Sequence, residues 1–274
     1  MGRIELKNRT ILITGASRGL GKHLALYLAR IEGASLVLVG RSRESLQNVA
    51  DEIGATCSVD VKIIAQDLLA DNGAQILFDK LRHDRIFGLI NNAGMTYYGD
   101  TEASQIDRFR SIIALDFKVV VELCLLFLSR FKANGEGFIL NITSLASFVP
   151  IPYQSIYAAA KCATQSLSES LAEENKGSSI VISTFAPAGI VTDLIAESGL
   201  TLHMQKHLKF YITPEHAAEL AIKALKRGRR LILPGYLTKI MYFFINVLPR
   251  ATLLGLCTRI YRYDKYRMDA CAKI

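Results

Sequence analysis

Short runs of apolar residues alternate with longer amphipathic stretches along most of the chain. The runs contain few polar residues, which is typical of strands that are covered on both faces. They predict seven strands, at residues 10–14, 35–40, 61–66, 86–92, 137–143, 180–186 and 230–233. The amphipathic stretches predict helices near residues 18–31, 42–53, 72–82, 104–131, 155–175 and 214–227. This alternation predicts an α/β fold with a doubly wound, mainly parallel sheet, in which ligands bind beyond the carboxyl ends of the strands.

Four of the predicted helices begin beside a residue that favours helix N-termini. Ser42, Ser104, Ser155 and Thr213 stand at these positions. Pro214 follows Thr213, where the fixed φ of proline suits the first helical residue. We therefore expect these four hydroxyl side chains to cap the helices that follow them.

Composition and charge indicate one folded body with a basic tail. The 274 residues are 50% hydrophobic and 21% charged, which excludes a disordered or collagen-like chain. The segment from Lys223 to the C-terminus carries 12 Lys and Arg against two acidic residues, so the rest of the chain is close to neutral. A nucleic-acid surface over the whole body is therefore not indicated. The five cysteines are widely spaced without a C-x-x-C pair, which favours a reducing compartment over disulfides or a zinc site.

A glycine-rich loop follows the first predicted strand, with the sequence TGASRGLG at residues 14–21. Gly15 permits a sharp turn out of the strand, while Gly19 and Gly21 allow the backbone to approach a pyrophosphate and the helix to pack on the sheet. The N-terminus of the next helix offers N–H groups and a positive dipole end to phosphates. A strand–helix turn without a ligand has the same glycines. The strand–turn–helix context favours dinucleotide binding.

The end of the second predicted strand indicates which dinucleotide is bound. Gly40 occupies the position at which NAD-binding folds usually place an acidic residue for the ribose 2′-OH. Arg41 follows it, and Arg18 lies in the glycine loop. Two guanidinium groups without a carboxylate suit a 2′-phosphate, although both are also typical of a solvated surface. The sequence therefore predicts NADP(H) as the cofactor.

The sequence YAAAK at residues 157–161 places a phenol and an ammonium on one helix face. A neighbouring ammonium favours the phenolate, so we expect Lys161 to lower the pKa of Tyr157 and make it a usable general acid or base. Ser144 follows the fifth predicted strand, where its hydroxyl could bond the same reacting oxygen. A lone Y-x-x-x-K is usually a solvated helix face. Here its position after the glycine loop and Ser144 favours a catalytic role.

These motifs occur in the order and spacing of the short-chain dehydrogenase/reductase family. TGASRGLG, NNAG at 91–94, Ser144, YAAAK and PAG at 187–189 carry the resemblance, which covers about residues 5 to 233. The resemblance implies a Rossmann-type fold, a nicotinamide cofactor and hydride transfer at a carbonyl or CH–OH carbon. It also implies that Tyr157 is the proton donor in carbonyl reduction. Lys161 then holds the nicotinamide ribose.

The resemblance further assigns the remaining site residues. Ser144 orients the substrate oxygen, Asp67 contacts the adenine, and Ile190 and Thr192 contact the nicotinamide amide. Asn91, Ala93 and Gly94 support the sheet and contact the adenosine side. The full set of implied cofactor contacts is Gly15, Ser17, Arg18, Gly19, Leu20, Gly21, Arg41, Asp67, Asn91, Ala93, Gly94, Tyr157, Lys161, Pro187, Gly189, Ile190 and Thr192.

One residue departs from the family pattern at a catalytic position. The family commonly has Asn on the helix after NNAG, where it helps to hold a water to the active-site Lys, and the matching residue here is Asp116. We expect its backbone carbonyl to remain available for that relay. We also expect the carboxylate to stabilise the ammonium of Lys161, so that activity persists with an altered pH profile.

No metal site is predicted. His203 and His207 are four residues apart, but no Glu follows His203, so surface or lid histidines are favoured. Cys162 is interpreted as a small packing residue. The lid itself is expected at about residues 190–213, and Phe148–Pro152 are expected to form the opposite wall of an apolar substrate site.

We expect residues 1–234 to form the dinucleotide-binding catalytic domain and residues 235–274 to form a helical extension. The longest charge-free stretch of this tail, Ile240–Pro249, has ten residues, whereas spanning a bilayer takes about 20. An interfacial helix or helical pair on an anionic membrane is favoured over packing against the body or a second subunit. The apolar residues expected at the acyl boundary are Phe243, Phe244, Ile245, Val247 and Leu248, and the basic residues expected at the head groups are Arg250, Arg259, Arg262, Lys265 and Arg267.

The sequence thus predicts an NADP(H)-dependent oxidoreductase that acts on a lipophilic ketone, aldehyde or alcohol, such as a keto lipid or sterol. A soluble 3-oxoacyl or polyol-type reductase is the alternative among enzymes, and a non-catalytic NADP(H) sensor or scaffold is the alternative outside them. The N-terminal residues lack the apolar core of a secretory signal, so we expect a cytoplasmic protein, held peripherally on a membrane if the tail binds it. From the resemblance we expect a homodimer or homotetramer, and from the near-neutral charge of the body we expect no nucleic-acid partner.

Overall fold

The computed structural model of the protein describes residues 4–191 and 211–271, and from residue 262 onward it describes the backbone alone. A single sheet lies at its centre. Its strands within the described residues are β1 Thr10–Thr14, β2 Ser35–Gly40, β3 Val61–Ala65, β4 Ile86–Asn91, β5 Gly137–Ile142, β6 Ile180–Phe185 and β7 Leu231–Ile232. Neighbouring strands pair in parallel in the order β3-β2-β1-β4-β5-β6-β7, which confirms the predicted doubly wound sheet.

Helices cover both faces of this sheet and continue beyond it. They are α1 Gly19–Arg30, α2 Arg43–Gly54, α3 Gly73–Lys80, α4 Ile106–Ile113, α5 Val119–Asn134, α6 Ser155–Glu174, α7 Pro214–Leu225, α8 Gly235–Val247 and α9 Arg250–Cys271. The predicted C-terminal helical extension is confirmed as α8 and α9. None of the described helices has an apolar stretch long enough to cross a membrane.

The helix predicted over residues 104–131 is interrupted. A π-helical turn, Ala114–Lys118, separates α4 from α5 and contains Asp116. The backbone carbonyl of Asp116 accepts a hydrogen bond from the Thr164 hydroxyl on α6, at 2.7 Å. π-Bulges occur frequently at functional sites. Hydrophobic periodicity does not report such a turn.

Two of the four predicted helix caps are confirmed. The Ser42 side chain accepts a hydrogen bond from a first-turn amide of α2, and Thr213 does the same for α7, which has Pro214 at its start. The predictions for Ser104 and Ser155 are wrong, because a glutamine occupies the N-cap position of each helix. Neither glutamine side chain forms a capping hydrogen bond. The Ser155 hydroxyl instead lies 3.0 Å from that of Tyr97.

The core has one apolar layer on each face of the sheet. One layer joins β1 and β2 to α1, α2 and α7, and the other joins the strands to α3, α5 and the end of α6. The near-continuous apolar strands follow from this arrangement, since both faces are covered. The strand order reverses beside β1, and the loops that follow β1, β4, β5 and β6 meet at that edge. This is where a ligand is expected in a doubly wound sheet.

The C-terminal helices pack on the same edge. Leu253 of α9 is 8% exposed and joins a cluster with Val149, Ile151 and Ala158. On α8, the Tyr242 ring meets Phe148 edge to face, with ring centroids 4.9 Å apart. The described part of the tail therefore lies against the body of the protein on its ligand side.

Candidate active site

Hydrogen bonds to the loop after β4 fix the position of the glycine loop. Gly15 has a φ of +66°, a conformation that L side chains rarely adopt. The Asn92 side chain donates to the carbonyls of Thr14 and Gly15, each at 3.0 Å. The Thr14 hydroxyl accepts from the backbone amides of Asn92 and Ala93, at 3.0 and 3.1 Å. The sequence analysis did not predict that Thr14 and Asn92 join the two loops, although both residues lie within the motifs that it identified.

Gly21 serves the packing of this loop. A Cβ atom at this position would lie 2.1 Å from the Gly15 carbonyl oxygen and 2.5 Å from the Asn92 side-chain nitrogen. Such distances are far below van der Waals contact, so a side chain here would push the loop away from α1. The helix N-terminus can therefore present its amides at the mouth of the loop.

A cavity of about 1340 Å³ extends from the glycine loop to the C-terminal helices. It brings together all four predicted catalytic residues and most of the predicted cofactor contacts. Those that line it are Gly15, Ser17, Arg18, Gly19, Leu20, Arg41, Asp67, Ala93, Gly94, Asp116, Ser144, Tyr157, Lys161, Pro187, Gly189 and Ile190. Thr192, the predicted lid from residue 192 to 210, His203 and His207 lie outside the described residues.

Two predicted cofactor contacts lie away from this cavity. Gly21 is covered by the glycine loop, as described above. Asn91 is 3% exposed, and its side-chain amide donates to the Asn141 side chain on β5 at 2.8 Å. Asn91 thus supports the sheet, as expected, while its neighbour Asn92 lies at the cavity.

Tyr157 and Lys161 lie on α6 with their side chains close together. The Lys161 nitrogen is 5.8 Å from the centre of the Tyr157 ring. Ser144 follows β5, at the start of a short turn in which its hydroxyl accepts from the Ala146 amide at 3.1 Å. Each of the three side chains is therefore fixed by an element end or a helix face that borders the cavity.

Lys161 lowers the pKa of Tyr157 as expected, but the net shift of this pKa is upward. Burial raises the pKa of Tyr157, and this effect exceeds the lowering by the Lys161 ammonium and the Ser144 hydroxyl. The Asp116 carboxylate adds to the increase. The prediction considered the ammonium alone and omitted both burial and the counter-charge.

Asp116 and Lys161 form a buried ion pair. The Asp116 Oδ1 and Lys161 Nζ atoms are 2.8 Å apart, and their side chains are 0% and 8% exposed. The Lys161 ammonium also donates to the Ile142 carbonyl at 3.0 Å, and the Met95 amide donates to Asp116 Oδ2 at 2.9 Å. Gly94 makes room for the pair, since a Cβ there would lie 2.6 Å from Asp116 Oδ1.

The pair shifts both pKa values upward. Burial raises the pKa of Asp116, and Lys161 and the Met95 amide offset this only in part. Burial alone would lower the pKa of Lys161, but the negative charges of Asp116 and Tyr157 outweigh it and raise this pKa. Lys161 is therefore an ammonium at neutral pH. Asp116 stabilises it as expected, through direct contact of its carboxylate.

The far wall of the cavity comes from α8 and α9. Of the wall predicted at Phe148–Pro152, Val149 and Ile151 line the cavity. Sequence reasoning missed the larger contribution, although its helical spacing of three and four residues was present as a signal. These lining residues are Met241, Phe244 and Ile245 on α8, Leu248 directly after it, and Leu253, Leu256, Cys257, Arg259, Ile260 and Tyr261 on α9.

Other candidate groups do not form a second site. Cys162 is exposed, so its interpretation as a packing residue is wrong. Among the side chains that the structure describes, no three His, Cys, Asp or Glu residues are grouped closely enough to hold a metal ion.

The sheet order and the glycine loop define a Rossmann-type dinucleotide-binding protein. A family model described as short chain dehydrogenase matches residues 9–202. The chain therefore belongs to the short-chain dehydrogenase family.

Two sequence relatives and one solved structure are representative of the similarity. Human 17-beta-hydroxysteroid dehydrogenase type 3 is 33% identical over 66% of this chain and 59% of its own length. The Bos taurus very-long-chain 3-oxoacyl-CoA reductase is 30% identical over 67% of this chain and 60% of its own. This chain thus spans about three fifths of these relatives. A short-chain dehydrogenase from Sphingobium yanoikuyae in complex with NADPH superposes with a TM-score of 0.75 at 29% identity, covering 89% of this chain and 97% of that one.

Proposed function

We propose that the protein is an NADP(H)-dependent oxidoreductase that interconverts a carbonyl and a secondary alcohol on a lipophilic substrate. The observation that carries this proposal is the lining of one cavity. The glycine loop, Tyr157 and apolar residues of α8 and α9 all border it. A nucleotide, a proton donor and an apolar substrate would therefore meet in one space.

The residues at the cavity fit a nicotinamide dinucleotide. The positive φ of Gly15 gives the loop a turn that a side chain would strain, and this turn lets backbone groups approach a ligand. When bound, NADP(H) supplies or accepts the hydride. Tyr157 donates a proton to the carbonyl oxygen in reduction, and the Ser144 hydroxyl bonds the same oxygen. The Lys161 ammonium, kept charged by Asp116, favours the phenolate that this proton transfer leaves.

Arg41 and Arg18 support a preference for NADP(H). Both are exposed and line the end of the cavity beyond β2, where Gly40 leaves no carboxylate. We expect Arg41→Ala to lower the ratio of kcat/KM for NADPH over NADH by about tenfold, since a charge-assisted hydrogen bond to a phosphate is lost. Arg43→Ala is the matched control, because Arg43 is exposed on α2 but does not line the cavity. An unchanged ratio in Arg41→Ala would argue against this assignment.

A lipophilic substrate is supported by the cavity wall and by the relatives. Val149, Ile151 and the two helical stripes present aliphatic and aromatic side chains beyond Tyr157. The relatives described above are named for hydroxysteroids and for very-long-chain 3-oxoacyl-CoA. NADPH oxidation measured over matched ketones of increasing alkyl length and over sugars tests this substrate class. We expect kcat/KM to increase with alkyl length, whereas faster turnover of sugars would favour a polyol-type reductase.

A non-catalytic NADP(H) sensor is the second candidate, and the replacement of the family Asn by Asp116 is the observation that favours it. The same assay separates the two functions. A sensor binds NADPH with no turnover of any carbonyl or alcohol in the panel, whereas the oxidoreductase consumes NADPH in proportion to the alcohol formed.

The outer faces of α8 and α9 support peripheral binding to an anionic membrane. Tyr236, Phe243 and Val247 are 78%, 60% and 61% exposed. Exposed Lys239 and Arg250 accompany them, and no acidic residue occurs between residues 231 and 263. Apolar residues beside basic ones suit the boundary between head groups and acyl chains.

Sedimentation with anionic liposomes tests the membrane proposal. We expect the intact chain to sediment at low salt and the double variant Phe243→Ser/Val247→Ser to remain in solution. Ile31→Ser is the matched control, since Ile31 is 65% exposed at the end of α1, in the body. If the wild-type chain stays in the supernatant at low salt, the tail does not bind such membranes.

A further inference from the structure

Two arginines line the cavity without a role in the chemistry proposed above. Arg108 lies on α4 and Arg259 lies on α9, and both border the same space as Tyr157. The residues that α8 and α9 contribute to this wall are otherwise uncharged. Both arginines are exposed, so water can solvate them where they border the cavity. They place positive charge at the edge of an otherwise uncharged wall, a feature that an uncharged lipid would not use.

The carboxylates of the cavity do not neutralise these arginines. The described lining contains two, Asp67 and Asp116. Asp116 is paired with Lys161, and Asp67 follows β3 at the adenosine end, where its side chain accepts from the Leu69 amide at 2.9 Å. Within the described side chains neither arginine has a carboxylate oxygen within 4.0 Å of its nitrogens.

The structure shows contacts of the Arg108 guanidinium and of the α9 backbone two residues after Arg259. Arg108 donates to the Thr96 carbonyl at 3.3 Å, and its guanidinium lies 6.0 Å from the centre of the Tyr97 ring. Arg259 borders the apolar stripe of α9, and the hydroxyl of Tyr98 donates to the Tyr261 carbonyl, which ties this part of α9 to the loop after β4. The loop after β4 thus contacts both α4 and α9, the helices that carry the two arginines.

We propose that this end of the cavity binds the anionic group of an amphiphilic substrate, and this inference rests on the proposed function. The substrate places its carbonyl at Tyr157 and its alkyl or ring body against α8 and α9. A carboxylate or phosphate at its far end pairs with Arg259, and Arg108 adds a second positive charge. The planar guanidinium suits both anions because it offers parallel N–H donors.

Binding of simple amphiphiles to the NADPH-loaded full chain tests this site without knowledge of the substrate. Dodecanoate, dodecyl phosphate and dodecanol share one alkyl chain and differ in the head group. We expect either anion to bind at least about tenfold more tightly than dodecanol in titration calorimetry without vesicles. The comparison of the two anions identifies the preferred head group.

Variants then locate the anion site. Arg259→Gln is expected to abolish the preference for the anion over dodecanol, and Arg108→Gln is expected to reduce it. Arg250→Gln is the matched control, because Arg250 is exposed at the start of α9 and does not line the cavity. Equal binding of the anions and dodecanol by the wild-type chain overturns the proposal, and so does an equal effect of Arg250→Gln and Arg259→Gln.

Failure of this inference is distinguishable from failure of the proposed function. If the wild-type chain reduces uncharged lipophilic ketones with NADPH but shows no anion preference, the oxidoreductase remains and the anion site is wrong. If no ketone or alcohol is turned over, charged or uncharged, the proposed function itself is wrong.

Discussion

At the scale of single residues, Asp116 controls the charges around the Tyr157 hydroxyl. Its carboxylate is fully buried and contacts Lys161 at 2.8 Å. The pair keeps Lys161 charged but also weakens the field of that ammonium at Tyr157, since an opposite charge stands beside it. Asp116 thus raises the pKa of Tyr157 while stabilising the residue that lowers it.

We predict that Asp116→Asn shifts the pH profile of alcohol oxidation toward lower pH. Oxidation needs Tyr157 as a phenolate, so activity increases as pH rises through the pKa of Tyr157. The variant lacks the carboxylate that raises this pKa, so the rising limb moves down. Measurement of kcat/KM with NADP+ against pH shows the shift. Asp107→Asn, an exposed carboxylate on α4, is the control, and superimposable profiles for Asp116→Asn and wild type would refute the role.

The same pair makes a prediction for stability. The pKa of Lys161 is raised on folding, so its contribution to stability is complete below its ordinary value of 10.5 and is lost as pH rises through the folded pKa. Asp116→Ala leaves this buried ammonium unpaired, and we expect it to lower the free energy of unfolding by about 3 kcal/mol. Urea unfolding near neutral pH measures the loss. A change within about 0.5 kcal/mol, as for a surface substitution, would contradict it.

Sequence alone predicted which residues meet at the cavity better than it predicted their electrostatics. Tyr157, Lys161 and Ser144 are readable from motif spacing because they follow fixed positions on α6 and β5. The interaction of Asp116 with Lys161 was expected from the resemblance, whereas the π-helical turn that contains Asp116 was not. The direction of the Tyr157 pKa shift depends on burial, which a motif does not contain.

At the scale of elements, the glycine loop depends on a close approach between α1 and the loop itself. We predict that Gly21→Ala lowers the free energy of unfolding by about 2 kcal/mol and weakens NADPH binding, because its Cβ would overlap the Gly15 carbonyl oxygen. Thermal unfolding with and without NADPH measures both effects.

A glycine in open space provides the control for this substitution. Gly54 ends α2, and a Cβ there would meet nothing within 4 Å. Gly54→Ala should leave NADPH binding unchanged and keep or slightly increase stability, since alanine loses less conformational entropy on folding. If the two variants behave alike, the loop does not need the glycine at position 21.

The helix α9 closes the apolar side of the cavity. Substitution of two neighbouring leucines tests whether α9 packs in this way. We predict that Leu253→Ala lowers the free energy of unfolding by about 2 kcal/mol and raises KM for a lipophilic ketone, because Leu253 is 8% exposed in the cluster with Val149 and Ile151. Leu254→Ala is the control, since Leu254 is 43% exposed. Equal effects at the two positions would mean that α9 does not pack as described.

Most elements were predictable because apolar periodicity reports burial directly. All seven strands lie within one or two residues of their predicted limits. The break at Ala114–Lys118 and the failure of Ser104 and Ser155 to cap their helices were not predictable in this way. The Ser155 hydroxyl lies beside that of Tyr97, far away along the chain, and the Ser104 hydroxyl donates to the nearby Glu102 carboxylate. The apolar residues of α8 and α9 recur at helical spacing in the sequence. The spacing does not tell which surface they contact, because both a membrane and a cavity select apolar residues.

At the scale of the whole molecule, the near-neutral body and the basic tail share one cavity. The body contributes the glycine loop and the Ser144, Tyr157 and Lys161 group, and α8 and α9 contribute the wall beyond it. One face of each C-terminal helix lines the cavity while exposed apolar side chains such as Phe243 and Val247 lie elsewhere on the tail. The C-terminal helices can therefore pack on the body and associate with a membrane at the same time.

The central claim is that Tyr157 transfers a proton to or from the substrate oxygen at this cavity. The most direct test is the single-turnover rate of NADPH oxidation with a lipophilic ketone for Tyr157→Phe, alongside the NADPH dissociation constant. We expect the rate to fall by about a thousandfold with little change in NADPH binding, as for the loss of a general acid. The control Tyr27→Phe, on α1, should match wild type. Comparable rates for Tyr157→Phe and wild type would contradict the claim.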